Sequence, residues 1–237
     1  MEFHFTIELF CALIGLTVFL LSWPLYKEYK SDCLFWFSVW GLILGGLSFF
    51  HAVISYFPLC NIPDYKLLPF TYLPERIGDS IITMLCVYPA KKKISTALLL
   101  LACFILIILI GIVSEIESIR KELIGRPQEI LQIIPAAIVF GRLLNTITPW
   151  GKILRYGTLT ILLGGIIMGF SNNLYDIEFN SAHVFKLISY LFMLFAILYL
   201  RKWLWMAGKG QEWIEENLTW NKGYIHYLTK FEQERNN

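Results

Sequence analysis

Charge is scarce in this chain. Only 16% of its 237 residues are Asp, Glu, Lys or Arg, against 57% hydrophobic residues and a mean hydropathy of +0.59. A water-soluble domain of this length has more surface than so few charges can cover, which argues against one. The net charge of +2 offers no basic surface, so no nucleic-acid partner is expected. The first apolar run lacks a basic leader and a small-residue cleavage site, so it reads as a retained signal anchor, not a cleaved signal peptide. The five cysteines (Cys11, Cys33, Cys60, Cys86 and Cys103) are scattered, odd in number and free of any CxxC spacing. They supply neither a disulfide framework nor a zinc motif and read as small hydrophobes. HExxH, GxSxG, Walker-type glycine loops and paired-carboxylate motifs are missing as well, so no enzyme and no cofactor is expected. There is no convincing internal repeat.

What the chain does have is long apolar runs, such as Ile94–Val113 and His183–Leu200. Runs near the roughly 20 residues that cross a ~30 Å hydrocarbon core read as membrane spans. The spacing predicts an all-α polytopic membrane protein with about seven transmembrane helices. They lie near Phe5–Leu25, Cys33–Phe57, Pro74–Tyr88, Ile94–Val113, Ile130–Thr146, Leu154–Phe170 and Ala182–Leu200. The third is short and contains Arg76 and Asp79; the fifth carries Pro135, a kink site. Residues 1–200 form the membrane domain on this reading, and residues 201–237 an amphipathic helical tail broken at Gly208, Gly210 and Gly223. The GxxxG pairs Gly41/Gly45 and Gly165/Gly169 suit close helix packing, within the chain or across a homodimer.

Basic residues beside the spans set the orientation. With the N-terminus outside, the inner side holds Lys27, Lys30, Lys91, Lys92, Lys93, Arg142, Lys152, Arg155, Arg201 and Lys202. The outer side holds Lys66, Arg120, Lys121 and Arg126. The bias places the N-terminus outside and the C-terminus inside, in a multi-pass membrane protein.

Ionisable groups within a span cost roughly 2.5–3.5 kcal/mol each at mid-bilayer, so each needs compensation. In the third span Arg76, Asp79, Ser80 and Thr83 share one helical face. The second span offers Ser48, His51 and Ser55, the seventh His183, Lys186 and Tyr190, and the first His4, Glu8 and Cys11. The sixth runs into Ser171, Asn172 and Asn173, followed by Tyr175 and Asp176. The predicted topology puts all five groups in the outer half of the membrane. Arg76 and Asp79 could simply pair at the membrane edge, and each histidine alone could be an ordinary interfacial residue. The set together predicts a water-accessible pocket lined by Glu8, His51, Arg76, Asp79, Thr83, Asn173, His183, Lys186 and Tyr190. Histidines and carboxylates also suit zinc or copper, and His51 with His183 a haem. These residues lie on different helices, so spacing leaves metal binding undetermined.

The stretch Ala182-His183-Val184-Phe185-Lys186-Leu187-Ile188-Ser189-Tyr190 resembles the last helix of the third class of membrane-associated sensor (MASE-type) domains, where Gly-His and a lysine three residues on precede an aromatic-rich run. Arg76 and Asp79 match that family's Arg and acid in the third helix, and His51 with Tyr56 its histidine near the end of the second, the tyrosine offset by one. The tract Phe170 to Asp176 resembles the polar segment before its last helix. The resemblance implies a seven-helix sensory input module fused to a kinase, diguanylate cyclase or PAS-type output. Residues 201–237 are too few for such an output, so a missing output domain or a separate cytoplasmic signalling protein is expected as partner.

The functional expectation is a receptor. A small anionic or zwitterionic ligand enters from outside, bridges helices 2, 3 and 7, and signals through helix 7. A small transporter or channel component needs a polar path to the inner face, which apolar stretches such as Leu16–Leu21 and Met193–Leu200 disfavour. A structural membrane subunit needs no ligand at all.

Overall fold

The computed structural model describes residues 2–56, 75–76, 78–86, 130–171 and 176–208. Every regular element among them is helical. They are α1 (Glu2–Tyr29), α2 (Asp32–Tyr56), α3 (75–76 and 78–86), α4 (Ile130–Leu143), α5 (Pro149–Gly169) and α6 (Ile177–Gly208). Four of these, α1, α2, α5 and α6, are long and apolar enough to cross a membrane. The chain is therefore a multi-pass membrane protein. The expected fourth span, Ile94–Val113, lies outside the described residues, as do Asn173 and the tail beyond Gly208. The α4 helix is a shorter apolar helix with Pro135 inside it.

Local chemistry explains where the helices begin and turn. Thr148 caps α5, its hydroxyl accepting the Gly151 N–H at 3.3 Å, and Pro149 takes the first helical position, where no N–H is needed. Asp176 does the same for α6, its carboxylate accepting the Phe179 N–H at 2.7 Å and the Ser171 hydroxyl at 3.0 Å. Part of the polar tract before the last helix is thus its cap. Between α1 and α2 the chain reverses at Lys30, which adopts a left-handed φ of 53° and donates its N–H to the Tyr26 carbonyl.

The helices pack α4 against α5, α5 against α6, α6 against α1 and α1 against α2. Along α1 the buried residues His4, Glu8, Cys11, Gly15, Val18 and Ser22 recur at alternating four- and three-residue steps, one continuous stripe. The opposite face exposes Phe10, Leu13 and Leu20. Charge inside and hydrocarbon outside is the arrangement lipid favours. The α1–α2 contact is close enough that side chains are excluded. A Cβ on Gly41 would meet the Gly15 carbonyl oxygen and the Phe19 nitrogen at 2.5 Å, and one on Gly15 would meet the Gly45 Cα at 2.6 Å. The first GxxxG pair therefore serves packing within the chain. In the second, Gly165 faces Ile133 and Gln132 of α4, whereas Gly169 faces open space.

The two ends of the bundle differ. At one, Trp150 and Trp203 pack at 5.9 Å between ring centroids, and Trp23, Tyr26 and Phe35 form an aromatic chain at the α1–α2 turn. Lys27, Lys30, Lys152, Arg155, Arg201 and Lys202 belong to that end by their positions on these helices. The other end gathers the N-terminal parts of α1, α3 and α6 with the C-terminal part of α2.

Candidate functional site

That second end is filled with polar side chains. His4, Glu8, His51, Glu75, Arg76, Asp79, Thr83, His183, Lys186 and Tyr190 are all buried there, none more than 4% exposed. Helix periodicity delivers them. On α1 His4 and Glu8 are one turn apart, on α3 Glu75, Asp79 and Thr83 follow at four-residue steps, and on α6 His183, Lys186 and Tyr190 line one face.

Lys186 is the centre. Its ammonium donates to Glu8 Oε2 at 2.5 Å and to Glu75 Oε2 at 2.7 Å, linking α6 to α1 and to α3. The second oxygen of Glu75 accepts from the Tyr190 hydroxyl at 2.7 Å and from the Ser48 hydroxyl, and these two hydroxyls lie 3.1 Å apart. Among the described residues every partner of Glu75 is thus a donor, as a buried carboxylate requires. Beside this group Trp40 donates its indole N–H to Asp79 Oδ1 at 2.6 Å, and Thr83 adds a longer bond of 3.4 Å to the same oxygen. Trp40 also packs on Tyr190, ring centroids 4.7 Å apart. Arg76 reaches toward α5, where Gly164 makes room: a Cβ there would lie 4.0 Å from Nη1.

On the other side of Glu8 three imidazoles converge. His4 Nε2 and His183 Nε2 are 3.0 Å apart, and His183 Nε2 lies 3.4 Å from Glu8 Oε1. His51 meets His4 edge-on at 5.2 Å between ring centroids. One ligand atom from each of His4, Glu8, His51 and His183 lies within 4.8 Å of all the others. Phe179 packs on both His4 and His183 and closes the group with an aromatic face.

The structure brings together eight of the nine site residues expected from sequence; Asn173 is outside the described residues. They are packed into a hydrogen-bonded interior rather than displayed in an open cleft. Four residues bonded into the cluster were not among the nine: His4, Trp40, Ser48 and Glu75. Glu75 was masked by its setting, since an acid right after Pro74 in a first helical turn ordinarily answers the helix dipole. Its four-residue step to Asp79 was the available signal. His4 and Ser48 already belong to the polar faces of the first and second spans. Trp40 carries no sequence mark of its bond to Asp79.

A family model described as a membrane-associated sensor domain, MASE3, matches residues 1–119, half of the chain. The matched stretch includes α1, α2 and α3 and therefore Glu8, His51, Glu75, Arg76 and Asp79. No curated protein and no solved structure matches the chain.

Proposed function

The chain belongs to the membrane-associated sensor domain family, and on that premise we propose that its stimulus is read by the buried cluster around Lys186 and passed along α6. One observation carries the reading: Lys186 joins α1, α3 and α6 through two carboxylates in the buried polar end of a bundle of apolar helices. Such charges are costly in a membrane and need exact mutual compensation, so the arrangement is sensitive to anything that alters one partner. A small ligand arriving from the extracytoplasmic side and engaging Glu8, His51, Arg76 or His183 would re-pair the network and favour a second packing of α6 against α1.

The orientation this needs is supported by charge. Lys27, Lys30, Arg142, Lys152, Arg155, Arg201 and Lys202 all fall at the end opposite the cluster, which the positive-inside tendency assigns to the cytoplasm. The cluster then faces outward in a bacterial cytoplasmic membrane. Transmission is supported by α6 itself, an unbroken helix from Ile177 to Gly208 with neither Pro nor Gly between Lys186 and Trp205. Its far end meets a cytoplasmic signalling protein or an output domain.

Hydrogen exchange on the full chain in lipid nanodiscs tests this. Amino acids, short carboxylates, phosphate and divalent cations are added from solution, and exchange is followed at residues 195–205. At least one should change exchange in the natural chain and leave Arg76→Ala and His183→Ala unaffected. No response to any solute, or the same response in both variants, rejects the reading.

A further inference from the structure

We propose that His4, Glu8, His51 and His183 form a binding site for a divalent transition-metal ion of the zinc class. The role this gives the metal, as the stimulus, rests on the sensory reading above; the binding itself rests on geometry.

The decisive group is His183. Its Nδ1 lies 2.8 Å from the Phe179 carbonyl oxygen, which can only accept, so Nδ1 carries the proton. In the neutral ring Nε2 is then the unprotonated nitrogen, accepting from His4 Nε2–H at 3.0 Å and lying 3.4 Å from Glu8 Oε1, so a metal ion would take the place of that His4 proton. An imidazole whose far N–H is anchored on a backbone carbonyl is how metal-ligating histidines are held. Glu8 supplies the complement. Its Oε2 is taken by Lys186, while Oε1, fully buried, accepts no hydrogen bond among the described residues and points into the histidine group.

Spacing agrees with the chemistry. Bonds of 2.0–2.1 Å at tetrahedral angles put ligand atoms roughly 3.3 Å apart. His4 to His183 is 3.0 Å, His183 to Glu8 3.4 Å and His4 to Glu8 3.9 Å. His51 completes the set within 4.8 Å, a small side-chain adjustment from the fourth position. Three imidazoles with one carboxylate suit zinc and its borderline neighbours, not calcium or magnesium. Formal charge points the same way. Glu8, Glu75 and Asp79 stand against Arg76 and Lys186, leaving this buried end one positive charge short among the described residues. Buried charges of this kind are paired or hold metals.

The full chain in nanodiscs, stripped of metal, is titrated with zinc alone against a chromogenic chelator. One ion per chain is expected, with affinity falling roughly 100-fold or more in His183→Gln and His4→Gln. Gln132→Leu, away from the cluster, should bind as the natural chain does. X-ray absorption of the zinc-loaded natural chain needs no variant. It should show nitrogen and oxygen ligands with imidazole outer-shell scattering, whereas sulfur ligands would overturn the site. Binding far below one ion per chain, or unchanged affinity in both histidine variants, overturns it too. Hydrogen exchange at residues 195–205 separates the two claims. Zinc bound by these ligands without a change in exchange keeps the site and removes its sensory role. A response to another solute with no zinc binding keeps the sensor and removes the metal.

Discussion

Replacing Lys186 by methionine removes the cation that, among the described residues, Glu8 and Glu75 share, at nearly constant side-chain volume. Both contacts, 2.5 and 2.7 Å long, are buried, so no water takes the place of the ammonium. Deleting one partner of a buried pair typically costs ~3–5 kcal/mol because the remaining charge is stranded. Glu75 keeps its bonds from Ser48 and Tyr190, so the stranded charge is chiefly that of Glu8. The expected loss is therefore about 3–5 kcal/mol, two to more than three powers of ten in the unfolding equilibrium. Neutralising the carboxylates in the same chain, as Lys186→Met with Glu8→Gln and Glu75→Gln, should restore most of it, since a well-packed neutral replacement of a buried ion pair is often close to neutral in stability. Unfolding of the purified chain by sodium dodecyl sulfate in mixed micelles, followed by circular dichroism, measures both. A single variant within about 1 kcal/mol of the natural chain, or a triple variant no more stable than the single, would refute the reasoning.

Two further outcomes follow from backbone geometry and are measured by the same unfolding assay. Gly41→Ala places a methyl group 2.5 Å from backbone atoms of Gly15 and Phe19 that cannot swing aside, so it should destabilise the chain by roughly 1–3 kcal/mol, while Gly46→Ala, with nothing within 4 Å, should be silent. Lys30→Gly relieves a left-handed residue at the α1–α2 turn and should stabilise by about 1 kcal/mol; an unchanged midpoint would mean that φ carries no strain.

Much of the helical layout is legible in the sequence because lipid imposes a simple code. Apolar runs of span length became α1, α2, α5 and α6, and the Gly41/Gly45 pair marked a close contact without naming its partner, Gly15. The polar residues were legible as faces, because His183, Lys186 and Tyr190 obey helical spacing on their own segment. Which faces meet was legible only to the extent that alternating spans carry them to one end. The pairing of Lys186 with two acids was not readable, since Glu8 and Glu75 are remote from it in the chain. That His51 and His183 share one end was expected, but the direct contact of His183 with His4 was not, because no sequence interval encodes a 3.0 Å approach between residues 4 and 183. Side-chain geometry of that kind arises from tertiary packing alone.

The glycine seam between α1 and α2 limits how this bundle can deform. With Gly15, Gly41 and Gly45 bringing two main chains into direct touch, neither helix can roll on the other without collision. They behave as a single keel. What holds α6 to that keel at the polar end is side-chain reach, from Lys186 to Glu8 and from His183 to His4, and long side chains tolerate sliding that backbone contact forbids. At the polar end, then, α6 meets the α1–α2 pair through side chains, whereas α1 and α2 meet each other through main chain.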